Sequence, residues 1–349
     1  MNKDEILMNN GSATSKATSA YLDRHGVIKR ELSCFSVSPI AIGTHLGSMD
    51  ETDSRLYRTS IEYGLKNGIN FVDTAINYRG MRSERDIGLV LSRLIDNGTI
   101  NREEIVISTK AGIIPGDNDA GLVPKDYLQK ILLDAAIVEE ADLHIVGNQR
   151  HVLAPSYYQF AIEQSKKHLR INTIDIHYIH NPELSMVVLG EEAFYHQLES
   201  LFLFYEEQVS RGNIRYYGFA SWVGLLCNPK EKGYVSLEKV MQTLVKVVGV
   251  NHHFKFLQFP YNKITHYAKT RRNQQVNQKF HTVLDAAKEF GLTTVTSAPF
   301  NLGKLIDREC TPDDYLLSIL GEQNISSVMV GMKHPNHVVN NLRLIQIKH

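Results

Sequence analysis

The sequence lacks an excess of either charge sign, and it contains few cysteines. Its 349 residues include 38 Lys and Arg and 38 Asp and Glu, which gives a formal net charge of zero. Without a basic excess or a polybasic run, the composition argues against a nucleic-acid partner and against binding to a membrane surface. The three cysteines form no Cys-x-x-Cys pair. We therefore expect a reducing compartment, no disulfide framework and no metal site.

Long apolar runs are missing as well. No stretch approaches the ~18 consecutive apolar residues that a membrane span needs, and the N-terminal residues lack the apolar segment of a signal peptide. We therefore expect a cytoplasmic protein without membrane association. Residues 1–21 are polar, which predicts a flexible segment. No linker-like stretch divides residues 22–349, for which we expect one domain.

The chain does contain short apolar runs that alternate with longer helical stretches. Eight of these runs have the composition of strands that are buried on both faces. They are Pro39–Gly43, Asn70–Asp73, Ile105–Thr109, Thr173–Ile179, Tyr216–Ala220, Lys255–Pro260, Thr293–Ser297 and Ser327–Val330. The alternation is typical of parallel βα units and predicts an α/β fold, a single (β/α)8 TIM barrel. Residues 22–36 are expected to form a hairpin that closes one end of the barrel, with His25 and Gly26 at its turn.

One connection is much longer than barrel loops usually are. It runs from Lys110 to Ser156, whereas such loops usually contain ~2–6 residues. Because this insertion, residues 111–155, follows the third predicted strand, we expect it to lie over the active face and to shape substrate entry. A disordered or oligomer-forming loop is the alternative. The segment PKDYLQKILLDAAIV within it has the apolar spacing of a helix.

Four candidate catalytic residues lie at or just after predicted strands. Asp73 and Tyr78 belong to the segment GINFVDTAINYRGMRSERDIG, Lys110 to VISTKAG, and His180 to IDIHYIHNPE. The carboxyl ends of barrel strands converge on one face, so we expect the four side chains to meet in one pocket. Taken singly, each has an ordinary structural explanation, such as a turn cap for Asp73. The hypothesis of an active site therefore depends on their combination.

These segments resemble the aldo-keto reductase family. Its signature G-x-N-x-x-D-T-A-x-x-Y-x-x-x-x-S-E-x-x-x-G is matched at every fixed position from Gly68 to Gly88. Residues 211–221, 258–262 and 331–341 resemble later motifs of the family in the same order. The resemblance extends from about residue 30 to the end of the chain.

The resemblance implies reduction of a small aldehyde or ketone by hydride transfer from a nicotinamide. Tyr78 then donates a proton to the carbonyl oxygen, and Lys110 is expected to lower the pKa of this phenol, which is ~10 in a free tyrosine. Asp73 pairs with Lys110, and His180 orients the carbonyl by a hydrogen bond. The family also includes channel-associated subunits. The alternative is therefore a non-catalytic or slow dinucleotide-binding barrel that senses redox state and regulates a protein partner.

The resemblance also implies a set of cofactor-binding residues. They are Ser221, Trp222, Gln258, Ser297, Pro299, Asn301, Gly303, Lys333 and Asn341. Lys333 lies where the family binds the adenosine 2′-phosphate, which favours NADPH over NADH. The sequence departs from the family pattern where Ala220 replaces a serine, Ser221 an asparagine and Asn301 a glycine. The aromatic residue that often stacks on the nicotinamide is missing at Ser297, and Trp222 is the candidate to replace it.

Overall fold

The computed structural model describes residues 8–305 and 310–347. Its strands, in chain order, are β1 (Arg30–Leu32), β2 (Phe35–Val37), β3 (Ile40–Gly43), β4 (Phe71–Asp73), β5 (Val106–Ala111), β6 (His144–Val146), β7 (Gln149–His151), β8 (Ile174–His180), β9 (Ile214–Ala220), β10 (Phe254–Pro260), β11 (Gln274–Val276), β12 (Lys279–His281), β13 (Thr293–Ser297) and β14 (Ser327–Gly331). Its α-helices, in chain order, are α1 (Ser15–Arg24), α2 (Glu51–Lys66), α3 (Arg82–Asp96), α4 (Pro124–Tyr127), α5 (Pro155–Leu169), α6 (Glu183–Ser210), α7 (Leu237–Val247), α8 (Tyr267–Thr270), α9 (Val283–Glu289), α10 (Pro312–Leu320) and α11 (Pro335–Ile345).

Eight of the strands form a closed parallel barrel, which confirms the predicted α/β barrel. Around the barrel they follow the order β3, β4, β5, β8, β9, β10, β13 and β14, and β14 pairs with β3 to complete the circle. Each overlaps one of the eight predicted strands. Because all eight strands run in the same direction, their carboxyl ends share one face of the molecule.

The barrel interior is packed and closed at its amino-terminal end. Buried apolar side chains such as Phe71, Ile176 and Phe256 fill it, and Leu32 and Phe35 of the β1–β2 hairpin belong to the same cluster. The hairpin therefore closes one end of the barrel, as predicted. This leaves the carboxyl-terminal face as the open end, where a ligand can reach the strands.

Two predictions for the N-terminal region are wrong. The hairpin turn lies between β1 and β2, whereas Gly26, at φ +61°, lies just after helix α1 and contributes to its end. That helix begins at Ser15, so the flexible segment predicted for residues 1–21 is contradicted where the helix overlaps it, while residues 1–7 lie outside the described part of the chain. The Tyr21 side chain of α1 is buried, and its hydroxyl donates a hydrogen bond to the Leu65 carbonyl oxygen at 2.6 Å. Burial of a few large side chains outweighs the polar composition of the helix.

The insertion after the third barrel strand is folded. Helix α4 continues into a π-helical turn over Leu128–Leu133, in agreement with the helix predicted there, and Tyr127 and Leu132 are buried. Strands β6 and β7 form an antiparallel hairpin. The insertion thus supplies ordered structure between β5 and α5.

Helices connect successive barrel strands. The longest is α6, which is kinked at Gly190, where φ is +73°. In the part of the chain that the structure describes, no helix is both long and apolar enough to cross a lipid bilayer.

Candidate active site

A cavity of about 370 Å³ opens at the carboxyl-terminal face of the barrel. Asp73, Tyr78 and His180 line it, and Lys110 lies directly behind them with no exposed surface. The structure therefore brings together the four side chains that the sequence predicted to meet. They come from β4, the loop that follows it, β5 and β8, which are neighbours in the barrel.

Lys110 is held as a buried ammonium. Its Nζ donates hydrogen bonds to Asp73 Oδ2 and to the Thr74 carbonyl oxygen, each at 2.7 Å. Burial acts to lower the pKa of Lys110, but the Asp73 carboxylate more than offsets it, and the pKa is above its ordinary value. Lys110 is thus positively charged at neutral pH.

The second oxygen of Asp73 is also fully engaged. Asp73 Oδ1 accepts hydrogen bonds from Ser108 Oγ at 2.6 Å and from Gln258 Nε2 at 3.0 Å. Ser108 precedes Lys110 by two residues on β5, so both side chains project from the same face of that strand. A buried carboxylate is stable only when its oxygens have partners. Ser108 was not identified by the sequence analysis, although the i, i+2 rule applied to Lys110 points to it.

Tyr78 lies between two imidazole rings and beside the ammonium. Its ring centroid is 4.6 Å from that of His45, 5.8 Å from that of His180 and 4.8 Å from Lys110 Nζ. Burial raises the pKa of Tyr78, and Lys110 only partly offsets this, so the pKa is above its ordinary value. Lys110 therefore acts on the pKa of Tyr78 in the expected direction, but the net shift is upward. The physical reason is that burial outweighs the attraction of the ammonium, and the Asp73 carboxylate raises the pKa further.

His180 is a buried, neutral imidazole. Burial lowers the pKa of His180 well below its ordinary value, and the charge of Lys110 acts in the same direction. Its Nδ1 is buried without a hydrogen-bond partner in the described structure. A neutral imidazole carries one proton, so His180 can donate one hydrogen bond into the cavity while remaining uncharged.

Residues of the insertion hold the backbone of His180. His151 Nε2 lies 2.8 Å from the His180 carbonyl oxygen, and because a carbonyl only accepts, Nε2 carries the proton. Burial lowers the pKa of His151 to about 3, so its Nδ1 accepts from Ser185 Oγ at 2.6 Å. Ser185 Oγ in turn accepts from His144 Nδ1 at 2.7 Å. The hairpin β6–β7 is thereby connected to the candidate catalytic strand by an oriented chain of hydrogen bonds.

A buried carboxyl group fixes the loop after β9. Glu183 Oε1 accepts hydrogen bonds from the backbone N–H groups of Trp222 at 2.7 Å and Val223 at 2.9 Å. Burial raises the pKa of Glu183. Glu183 therefore positions Ser221 and Trp222 at the cavity, although no sequence motif singles it out.

Most of the predicted cofactor-binding residues border the same cavity. Those that line it are Ser221, Trp222, Gln258, Ser297, Pro299, Gly303 and Asn341. Asn301 and Lys333 do not line it. Lys333 Nζ instead forms an ion pair with Asp53 Oδ2 at 2.9 Å. A role for Lys333 toward a phosphate group would require it to leave or share this carboxylate.

Further cavity residues were missed by the sequence analysis. His45 and Asn181 follow β3 and β8, so their place at strand carboxyl ends was a usable signal. His337 lines the cavity four residues before Asn341, on the same face of α11, which helical periodicity could have indicated. In residues 8–305 and 310–347, no group of three or more His, Cys, Asp or Glu side chains is arranged to hold a metal ion.

Solved structures resemble the fold over nearly its whole length. An aldo-keto reductase from Bacillus halodurans, in its holo form, is 17% identical with a TM-score of 0.60, covering 92% of each chain. An aldo/keto reductase from Klebsiella pneumoniae in complex with NADP and acetate is 15% identical with a TM-score of 0.57, covering 93% of this chain and 91% of that one. An aldo-keto reductase complexed with NADPH is 16% identical with a TM-score of 0.57, covering 92% and 84%. At these identities the likeness shows the fold alone.

The family to which the protein belongs follows from its sequence. A comparison with curated proteins gives no match. The model of the Aldo/keto reductase family, however, matches residues 39–276, which run from the first barrel strand to β11 and include all four side chains at the cavity floor. This range is well over half of the chain. The protein therefore belongs to the aldo/keto reductase family.

Proposed function

We propose that the protein reduces an aldehyde or ketone to an alcohol with NADPH, and that Tyr78 donates the proton. Family membership supports carbonyl reduction in general. The observation that carries the finer proposal is the grouping of Tyr78, Lys110, Asp73 and His180 at the floor of one open cavity. Two of the structural neighbours are complexes with NADP or NADPH, which supports a nicotinamide cofactor.

The polar groups along the cavity fit a dinucleotide. Gln258 donates a hydrogen bond from its Nε2 to Asp73. Its Oε1 has no hydrogen bond to another described residue, so this oxygen is available to accept one from a carboxamide. The amide of Asn341 is buried at the cavity and likewise has no hydrogen bond within the described residues, which suits a heteroaromatic base. When bound, the dinucleotide supplies the hydride.

Residues of the protein itself bind the carbonyl oxygen and donate the proton. The neutral His180 donates a hydrogen bond that holds the carbonyl oxygen near the Tyr78 hydroxyl. Tyr78 is protonated at neutral pH because its pKa is raised, so it is ready to donate. As the proton leaves, the Lys110 ammonium stabilises the tyrosinate, and burial strengthens this interaction. A positioned acid of this kind contributes about 10²–10⁴-fold in rate.

Replacing Tyr78 by Phe tests the proposal. We expect Tyr78→Phe to lower kcat toward a panel of aldehydes and ketones by about 100-fold or more, because it removes only the proton donor. NADPH binding, followed by quenching of Trp222, the only tryptophan, should stay nearly unchanged. Tyr63→Phe, at an exposed tyrosine of α2, is the matched control and should behave as the unmodified protein.

The outcomes separate the candidate functions. Unchanged turnover by Tyr78→Phe would show that another group donates the proton. NADPH binding without turnover of any carbonyl by the unmodified protein would favour a non-catalytic, dinucleotide-sensing barrel. Saturation at much lower NADPH than NADH would support the preference for the phosphorylated cofactor.

A further inference from the structure

The start of helix α6 connects the candidate catalytic strand β8 to a loop that borders the same cavity. We call residues 221–227, which follow β9, the β9 loop. Its first two residues, Ser221 and Trp222, line the cavity and are predicted to bind the cofactor. Glu183 is the first residue of α6 and lies three positions after His180. Its carboxyl group forms hydrogen bonds with the β9 loop.

Glu183 differs from Asp73, which is also a buried carboxyl group, in having no cation beside it. Asp73 has Lys110 and two further donors as partners. Glu183 Oε1 accepts from the backbone N–H groups of Trp222 and Val223, and it forms no ion pair with any described residue. Its Oε2 is buried and has no hydrogen-bond partner in the described part of the chain.

These surroundings identify Glu183 as an uncharged carboxylic acid in the folded protein. A buried carboxylate that lacks a cation is strongly disfavoured. The start of a helix favours a negative charge, but burial outweighs this effect, and the pKa of Glu183 is above its ordinary value. An uncharged acid still accepts hydrogen bonds at its carbonyl oxygen while its hydroxyl carries the proton. Glu183 therefore holds the β9 loop by hydrogen bonds rather than by charge.

The β9 loop packs so closely against Glu183 that there is no room for a side chain at Gly224. A Cβ atom at Gly224 would lie 2.7 Å from Glu183 Cβ and 3.0 Å from the Gly233 carbonyl oxygen. Neither atom is the mobile end of a long side chain, so the loop itself would have to shift. The loop is also joined to β10, where the Ser221 N–H donates to the Gln258 carbonyl oxygen at 2.9 Å. It is thus fixed between α6 and β10.

We propose that Glu183 is a positioning residue for the cofactor, and that it holds Ser221 and Trp222 in place as an uncharged acid. Because these two residues are adjacent in the loop, a displacement of the loop moves both. Glu183 is not among the described residues that line the cavity, so its removal should weaken cofactor binding and leave proton donation by Tyr78 nearly unchanged. This inference rests on the binding of NADPH in the proposed function, and it does not require that a carbonyl be reduced.

Two substitutions of Glu183 test the inference. Glu183→Ala removes the acceptor of two backbone N–H groups, so we expect the Kd of NADPH, measured by calorimetry, to rise about tenfold. Glu183→Gln keeps an uncharged group with an acceptor oxygen, and its Kd should stay within about twofold of that of the unmodified protein. In Glu183→Ala the KM for NADPH should change more than kcat at saturating NADPH. Glu192→Ala, at an exposed glutamate of α6, is the matched control and should change neither value.

Gly224→Ala is a second test, since it displaces the β9 loop and leaves the carboxyl group unchanged. It should also raise the Kd of NADPH, and if Glu183→Ala does not fold, an unchanged Kd in Gly224→Ala would overturn the inference. An unchanged Kd in folded Glu183→Ala would overturn it too. So would a Glu183→Gln variant that binds as weakly as Glu183→Ala, because the charge would then be required.

The binding measurements keep this inference separate from the proposed reduction. If the unmodified protein binds NADPH but reduces no carbonyl, the proposed reduction fails, and the Kd values of the variants still decide the role of Glu183. If the unmodified protein does not bind NADPH, both proposals are wrong.

Discussion

At the scale of single residues, burial decides which protonation state each group of the candidate site adopts. Burial raises the pKa of Tyr78 and lowers that of His180, so both are neutral near pH 7. It acts to lower the pKa of Lys110 too, yet Lys110 stays charged because Asp73 lies 2.7 Å away. The Asp73–Lys110 pair therefore keeps a cation 4.8 Å from the centre of the Tyr78 ring.

This pair predicts strongly non-additive effects on stability. Lys110→Met leaves the Asp73 carboxylate buried without its counter-charge, so we expect the free energy of unfolding to fall by about 3–5 kcal/mol. The double variant Asp73→Asn/Lys110→Met removes both charges and should be more stable than Lys110→Met alone. Urea unfolding of the two single variants and the double variant measures the coupling. Losses that simply add would contradict a tightly coupled pair.

At the scale of elements, the barrel was predictable and its attachments were less so. Strands such as β3, with the sequence IAIG, are recognisable as apolar runs because both of their faces are buried. The contact of His144 and His151 with Ser185 was not visible, because three separate segments must fold before these polar side chains meet. The role of Glu183 was not predictable for the same reason, because its partners are backbone N–H groups of a loop distant in sequence.

The hydrogen bond between hairpin β6–β7 and the end of β8 leads to a prediction at the scale of elements. His151→Leu removes the donor to the His180 carbonyl oxygen and the acceptor for the Ser185 hydroxyl, so β8 loses the contact that fixes its end. We expect kcat for carbonyl reduction to fall about tenfold or more, since displacements of about 1 Å near reacting groups are costly. His151→Gln can place its amide N–H where Nε2 was, and should retain more activity.

The readout distinguishes positioning from general damage to the fold. If His151 acts through His180, kcat should change while the affinity for NADPH, measured by Trp222 quenching, stays nearly constant. Equal activity of the Leu and Gln variants would argue that the hydrogen bond to the His180 carbonyl oxygen has no positioning role.

At the scale of the whole molecule, several histidines are buried in neutral form. Burial lowers the pKa of both His151 and His177 to about 3, and each side chain is fully inaccessible to solvent. In the unfolded chain the same groups titrate near ~6.5. The folded state therefore binds fewer protons than the unfolded state at every pH between these two values.

This difference in proton binding determines whether acid stabilises or destabilises the folded state, and over which pH range. Because the folded pKa values are lowered, the stabilising contribution is complete above pH ~6.5 and is lost as the pH falls toward about 3. For each histidine the slope approaches about 1.4 kcal/mol per pH unit below pH ~6.5, so these two together lower the free energy of unfolding by about 3 kcal/mol between pH 6.5 and 5. Most carboxylates titrate below this window. Urea unfolding at several pH values measures the slope, and His151→Gln should make it shallower. A flat profile between pH 7 and 5 would mean that these imidazoles are protonated in the folded state, which their burial without an acidic partner opposes.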